Sequence, residues 1–218
     1  MSKKSELKEN VLAAKVEKAL SWILDYKVPV LAFLGVLIFG LLVGSVFILR
    51  RNEKRELVWA RLSQAQSLLA INQLSQARQI LTETRTESPD LTTLLFSSYY
   101  MGQVELADEK FEDALPLFEE VVEKGGKALI TPLALSNLGY TQERLGNFSE
   151  ASQTYQQFMD QYGEHFMAPR VQLSLGRSLL KAGEMENGKI ALDQLVDLYP
   201  TSPWAENARQ ILDKSESR

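Results

Sequence analysis

The chain has 218 residues, of which 45% are hydrophobic and 24% are charged, and its formal net charge is −4. It contains no cysteine and a single histidine, which excludes disulfides, thiolate metal sites and catalytic arrangements built on two histidines. The negative charge lies in residues 56–218, which hold 14 basic and 23 acidic side chains, so this part lacks the cationic surface that nucleic-acid binding needs.

Residues 1–27 form a tail that carries six lysines. Apolar side chains such as Leu7, Val11 and Ala14 recur among them at helical spacing. This pattern is compatible with an amphipathic helix that lies on a membrane surface. A disordered tail is the alternative, because short helices are only marginally stable in water.

A stretch of 22 residues without a charged side chain, residues 28–49, follows the tail. A helix of this length spans roughly 30 Å, the thickness of the hydrocarbon core of a bilayer. The stretch is longer than the apolar part of a cleavable signal peptide, and it ends at Arg50 and Arg51 rather than at a small-residue cleavage site. We therefore predict one uncleaved transmembrane helix over 28–49, followed by a basic flank over 50–55.

Gly40 and Gly44 lie within this stretch at the small-xxx-small spacing that lets two helices approach closely. The spacing allows a homodimer through the transmembrane helix. Glycine is also common in spanning helices that do not associate, so both interpretations stay open.

The orientation of the predicted span depends on the charges at its two ends. The basic residues that flank it are nearly balanced, but long domains translocate largely regardless of charge, so the short tail counts for more. Its six lysines favour a cytoplasmic N-terminus. We therefore expect the C-terminal domain to lie on the other side of the membrane.

The rest of the chain repeats with a period of 37 residues. Several columns of residues recur in register over four copies. Their members are Gly102, Gly139 and Gly176, with Ala65 upstream; Ala77, Ala114, Ala151 and Gly188; Leu81, Phe118, Tyr155 and Leu192; Leu74, Phe111, Phe148 and Met185; and Pro89, Gly126, Gly163 and Pro200. Apolar residues follow a helical period in both halves of each copy, and a short polar or glycine-bearing turn separates the halves. Each copy is therefore predicted to be a helix–turn–helix unit.

The pattern predicts an all-α repeat domain over 56–214, with a short tail over 215–218. The helices are expected over about 56–71, 74–86, 91–107, 111–124, 130–145, 148–162, 167–182 and 185–198, with a last one over about 203–214. The last helix is predicted to cap the apolar surface that the end of a solenoid would otherwise expose.

These columns resemble the tetratricopeptide repeat, which places Leu-Gly in its first helix and an Ala followed by a large residue in its second. Leu138-Gly139 and Ala151 with Tyr155 match that pattern, whereas the first copy is degenerate because Gln64-Ala65 replaces Leu-Gly. The resemblance implies an α-solenoid of about four helix pairs, preceded here by one transmembrane helix. It also implies a role in protein–protein interaction.

The layout of the chain resembles a narrower group, the ancillary subunit of the bacterial SecYEG translocon. That resemblance implies a bitopic inner-membrane protein whose repeat domain is periplasmic, with the translocon or periplasmic chaperones as partners. The C-terminal region, from Leu198 to Ala208, also resembles periplasmic repeat proteins linked to cell division and outer-membrane assembly. A scaffold for those processes is therefore the alternative function.

The first helices of a repeat solenoid line its concave face, and this face is the candidate partner groove. Its predicted residues are apolar and aromatic in the copies nearest the membrane and cationic in the last two: Trp59, Phe96, Tyr99, Gln103, Tyr140, Arg144, Arg170, Arg177 and Lys181. We predict that the groove holds a partner segment with apolar anchors at one end and acidic groups at the other. Two alternatives stay open: that the cations pair with Glu143 and nearby carboxylates, and that Tyr99 and Tyr140 pack against neighbours.

No residue pattern indicates an enzyme, a cofactor or a metal site. His165 has no nucleophile arranged beside it in the sequence, and Gly125-Gly126 lacks the Lys-Ser/Thr pair of a phosphate-binding loop. A different class of function is a structural oligomer, in which the solenoid associates with copies of itself.

Overall fold

The computed structural model describes residues 13–18, 21 and 27–216, and the described residues fall in two compact units, Met1–Glu53 and Lys54–Arg218. All regular structure in the described part of the chain is helical. Residues 13–18 are helical, and the rest of the amphipathic helix predicted for the tail lies outside the described residues.

Helix α1 covers Lys27–Ala70 without a break. It contains the one described helix that is long and apolar enough to cross a membrane, Leu31–Ala70, whose most apolar window has a mean hydropathy of 2.7. The sequence predicted a separate flank over 50–55 between two helices. The structure instead continues the helix through this flank, because no glycine or proline interrupts residues 45–70 and the flank consists mainly of good helix formers.

Eight further helices, α2 to α9, complete the unit that begins at Lys54. Their bounds are Leu74–Glu87, Leu91–Ala107, Phe111–Gly125, Thr131–Arg144, Phe148–Tyr162, Ala168–Lys181, Met185–Leu198 and Pro203–Glu216. The C-terminal part of α1 pairs with α2, and α3 with α4, α5 with α6 and α7 with α8 form the next three repeats. The predicted all-α solenoid of four helix pairs with a final helix is confirmed.

The turn inside each repeat is built on a left-handed residue at the same repeat position. Asn72 has φ 59°, Glu109 has φ 58°, Gly146 has φ 83° and Gly183 has φ 89°. Only glycine adopts this conformation without steric cost, and asparagine tolerates it better than glutamate does. The second turn therefore contains local strain that the last two turns avoid.

The glycine column marks the place where the two helices of a repeat approach most closely. A Cβ atom at Gly139 would lie 2.5 Å from Cε1 of Tyr155, and one at Gly176 would lie 2.7 Å from Cγ of Leu192. Tyr155 and Leu192 are 2% and 0% exposed. The glycine and large-residue columns of the sequence are thus the two sides of one contact. A methyl group added at the glycine would clash, because the buried side chain opposite it has no room to move.

Helix α9 covers the end of the solenoid as predicted. Ala205 and Ala208 are fully buried, and Ala208 belongs to the core cluster that contains Leu192 and Leu195. Trp204, Ile211 and Leu212 pack against this cluster. The helix removes from water the apolar face that the fourth repeat would otherwise expose.

The first two repeats are joined by charged side chains of α2. Arg78 forms a bidentate pair with Glu105, with hydrogen bonds of 2.8 and 2.9 Å, and donates to Asp108 at 2.6 Å. This pairing with Glu105 raises the pKa of Arg78 above its usual value. Two helical turns further along α2, Arg85 donates to Ser98 at 3.0 Å and to Glu120 at 2.6 Å. Ionic and polar contacts therefore cross this junction in two places.

Candidate functional site

The candidate site is the surface formed by the first helices of the four repeats, residues 56–70 of α1 with α3, α5 and α7, which we call the first-helix face. Neighbouring first helices contact each other along it. The ring centroids of Trp59 and Phe96 are 5.0 Å apart, and Nη2 of Arg170 donates to Oγ of Ser136 at 2.5 Å. The predicted positions from adjacent copies are thus brought side by side.

One of the predicted columns lies beneath this face rather than on it. Tyr99 is 7% exposed, and its equivalents Leu62, Ser136 and Leu173 are also buried. The hydroxyl of Tyr99 accepts hydrogen bonds from Gln103 at 2.6 Å and Asn137 at 3.4 Å. Burial raises the pKa of Tyr99, and these hydrogen bonds oppose that rise. Of the two roles left open for Tyr99, the structure shows packing between repeats, and Gln103 supports that packing.

The end of the face formed by the first two repeats is aromatic. Trp59 is 37% exposed, and Phe96 is half-buried beside it. The sequence analysis missed Tyr100, whose ring centroid lies 6.5 Å from that of Phe96 and 5.3 Å from that of Tyr99. The i, i+4 spacing between Phe96 and Tyr100 was the signal that could have found it. Together these rings offer an apolar surface to a partner.

The other end of the face is basic, and two of its cations are held by aromatic rings. Cζ of Arg144 lies 4.2 Å from the ring centroid of Phe111, and Nζ of Lys181 lies 4.8 Å from that of Phe148. Both pairs are related by the 37-residue repeat. Attraction between a cation and the face of a ring fixes the position of the charge without neutralising it. The sequence analysis listed both phenylalanines only as members of a repeat column and missed this arrangement.

Tyr140 and Arg144 form a single unit on this face. The hydroxyl of Tyr140, which is 40% exposed, accepts a hydrogen bond of 2.8 Å from Nη1 of Arg144. Nη2 of Arg144 also lies 3.9 Å from a carboxylate oxygen of Glu109, which is too long for strong pairing. Tyr140 thus remains accessible to a partner while its hydroxyl is oriented.

The three cations of α7 have no carboxylate partner among the described residues. Arg170, Arg177 and Lys181 are exposed, and the ion pairs of the described part of the chain do not include them. Glu143, the expected partner, instead accepts hydrogen bonds from Ser178 at 2.8 Å and from the hydroxyl of Tyr155 at 3.2 Å. Glu143 therefore forms no ion pair with these three cations.

Comparison with known proteins agrees with the repeat architecture. Two models described as tetratricopeptide repeat match residues 99–165 and 170–202, so these two parts of the chain are similar to tetratricopeptide repeats. The degenerate first copy lies before both ranges. A comparison with curated proteins finds no significant match.

Solved structures of repeat proteins share the fold at low sequence identity. The TPR-like repeats of a Podosopora anserina protein described as a kinesin light chain match with 17% identity and a TM-score of 0.63, covering 73% of this chain and 85% of that one. A tetratricopeptide repeat protein from Parabacteroides merdae matches with 16% identity and a TM-score of 0.62, covering 73% and 60%. MamA from Desulfovibrio magneticus matches with 16% identity and a TM-score of 0.57, covering 67% and 77%. Repeats of this kind bind proteins, and such similarity extends to the fold alone.

Proposed function

We propose that this tetratricopeptide-repeat chain is a membrane-anchored adaptor, which holds an extended or helical segment of a partner protein on its first-helix face. Residues 28–49 anchor it in a bacterial inner membrane, and the repeat unit lies on the periplasmic side. The process served is protein secretion or envelope assembly, with the translocon or periplasmic chaperones as the partner class.

The exposed cations of α7 are the observation that supports this proposal most directly. Arg170, Arg177 and Lys181 lie on one side of the helix, because spacings of seven and four residues return to the same side. They keep their charge available in a unit whose residues 56–218 carry a net charge of −9. With the Trp59 and Phe96 rings at the other end of the face, they fit a segment that presents apolar side chains and then acidic ones.

The anchor is supported by the length and apolar character of α1. The side chains of its apolar stretch are exposed in the described structure, as expected of residues that face lipid. Gly40 and Gly44 leave open space where a Cβ would lie, so a second copy of the helix could pack closely there. Homodimerisation through this pair is part of the proposal.

Site-specific photocrosslinking in the native membrane tests the groove. A photoreactive residue in place of Tyr140 or Arg177 should capture a protein, whereas one in place of Gln153, an exposed residue of α6, should not. The variant Arg170→Glu/Arg177→Glu should abolish capture from position 140, because it reverses two charges that face the partner. Lys189→Glu on the second helix α8 is the matched control. Equal capture from Gln153, or capture that survives the double reversal, would contradict the groove.

A topology reporter fused after residue 218 tests the location separately. A signal from outside the cytoplasm would agree with the periplasmic adaptor. A cytoplasmic signal would contradict the secretion and envelope roles, and the partner would then belong to the cytoplasm.

A further inference from the structure

The repeat unit has two edges of different character. The turn edge consists of the turns inside the repeats, residues 71–73, 108–110, 145–147 and 182–184. The loop edge consists of the connections between repeats, residues 88–90, 126–130, 163–167 and 199–202. The loop edge carries the two most exposed large apolar side chains of the described residues, Leu129 at 90% and Phe166 at 81%.

Leu129 and Phe166 occupy equivalent positions, 37 residues apart. Their neighbours Ile130 and Met167 turn inward, and Ile130 is only 3% exposed. The outward side chains therefore add nothing to the core. Leu91, at 51%, and Leu198, at 65%, lie on the same edge and extend its apolar character. Apolar side chains grouped in this way are typical of an interaction surface.

The loops that carry these residues are held by contacts of the fold. The hydroxyl of Tyr162 donates to the carbonyl oxygen of Gly126 at 3.3 Å, and that of Tyr199 donates to the carbonyl oxygen of Gly163 at 3.0 Å. The ring of His165 lies 4.4 Å from that of Phe166, centroid to centroid. Phe166 is thus presented by an ordered loop.

We propose that the loop edge lies on the surface of the lipid bilayer, with Leu129 and Phe166 in the interfacial layer. The inference rests on the proposed membrane anchor. The repeat unit begins on this edge, because Nε of Arg55 pairs with Asp90 at 3.0 Å. Arg55 follows Leu49, the last residue of the apolar stretch, by six residues, and six residues span no more than about 20 Å even when fully extended.

The chemistry of the loops fits a lipid interface. Leucine and phenylalanine side chains enter the boundary between headgroups and acyl chains, and lysines extend their charge to the phosphates. Lys54 and Lys127 lie at the start of the unit and two residues before Leu129. A connection this short keeps the edge close to the bilayer, so weak insertion at two points suffices to hold it there.

Single-cysteine labelling tests this proposal, because the native chain contains no cysteine. Leu129→Cys and Phe166→Cys, each labelled with an environment-sensitive fluorophore, are studied in the full chain reconstituted into vesicles of phosphatidylethanolamine and phosphatidylglycerol. Ile71→Cys on the turn edge, where the native side chain is 64% exposed, is the matched control. Val36→Cys in the apolar stretch, quenched by lipids that are spin-labelled on the acyl chain, reports insertion of the anchor. Circular dichroism confirms that each labelled chain folds.

We expect blue-shifted emission at positions 129 and 166, with quenching by lipids spin-labelled near the headgroup at least about twofold stronger than at position 71. Equal quenching at 129, 166 and 71, with quenching at 36, would overturn this inference and leave the anchor intact. No quenching at 36 would overturn the anchor and this inference together. A blue shift that grows with the protein-to-lipid ratio and is insensitive to spin-labelled lipid would identify a second copy as the occupant and would also overturn it.

Discussion

Replacing Arg85 by methionine removes the cation that joins α2 to the second repeat. The remaining copies carry Val122, Met159 and Val196 at this position, so an apolar side chain is compatible with the repeat geometry. The change removes one hydrogen-bond donor from the carboxylate of Glu120, whose side chain is only 15% exposed. The double variant Arg85→Met/Glu120→Gln removes both charges and reproduces the Met159 and Gln194 pair, which occupies the same two repeat positions in the third and fourth copies.

The magnitudes follow from the contacts. Arg85→Met alone should cost about 2 kcal/mol, because it removes one charge-assisted hydrogen bond to a largely buried carboxylate. The cost is no larger because Lys124 still donates to Glu120 at 2.9 Å. Glu120→Gln alone costs about 1 kcal/mol, because the guanidinium of Arg85, at 38% exposure, can be solvated. The double variant should lose about 1.5 kcal/mol, which gives a coupling energy of about 1.5 kcal/mol between the two side chains.

Urea unfolding of the full chain in detergent micelles, followed by far-ultraviolet circular dichroism, measures these differences. The slope of the unfolding free energy against urea concentration should be the same for every variant, so that shifts in the urea midpoint report changes in stability. Lys124→Met is the control for loss of an exposed charge, and its cost should stay near 0.5 kcal/mol by the usual strength of an i, i+4 ion pair. A double variant that loses the sum of the single costs, about 3 kcal/mol, would refute the coupling.

Two further predictions concern acid sensitivity and backbone strain. Burial raises the pKa of Glu120, but hydrogen bonds from Lys124 and two other donors outweigh it and lower the pKa from 4.5 to about 2. The resulting stability is complete above the unfolded pKa of 4.5 and is lost as the pH falls through about 2. After solvent screening it amounts to ~1–2 kcal/mol, so Glu120→Gln should narrow the difference in unfolding free energy between pH 6 and pH 2 by roughly that amount. Glu109→Gly should stabilise the chain by about 1 kcal/mol in the same assay, because the residue has φ 58°, and Gly146→Ala at φ 83° should destabilise it by about as much; a null result for both would contradict the strain argument.

The fold could be predicted from the sequence because each repeat column reports one contact. Gly139 lies against Tyr155 in the third copy, and Gly176 lies against Leu192 in the fourth. A contact that recurs in every copy leaves a column, and the columns located the helices from Leu74 onward to within one or two residues, whereas the start of the first helix at 56 was not found in the structure. Packing that repeats is therefore visible without coordinates.

Contacts whose residue types differ from copy to copy leave no column in the sequence, and the sequence analysis missed these contacts. The partners of Arg85 are Ser98 and Glu120, and the equivalents of Ser98 in later copies are Leu135 and Gln172. In the fourth repeat the amide of Gln172 donates to Gln194, which is equivalent to Glu120, at 3.3 Å. The same two positions thus meet in both copies with different chemistry, and only the three-dimensional contact identifies them as partners.

The basic side chains of the repeat unit divide into two groups with different physical consequences. Arg78 and Arg85 are paired with carboxylates, and their charge is used within the fold. Arg177 and Lys181 are exposed on α7, and no carboxylate of the described residues forms an ion pair with them. Placing like charges on neighbouring turns of one helix is slightly destabilising. A cluster that forms no ion pair within the described residues and repels itself, in a unit that has an excess of acidic residues to pair with it, fits the acidic partner segment that we propose.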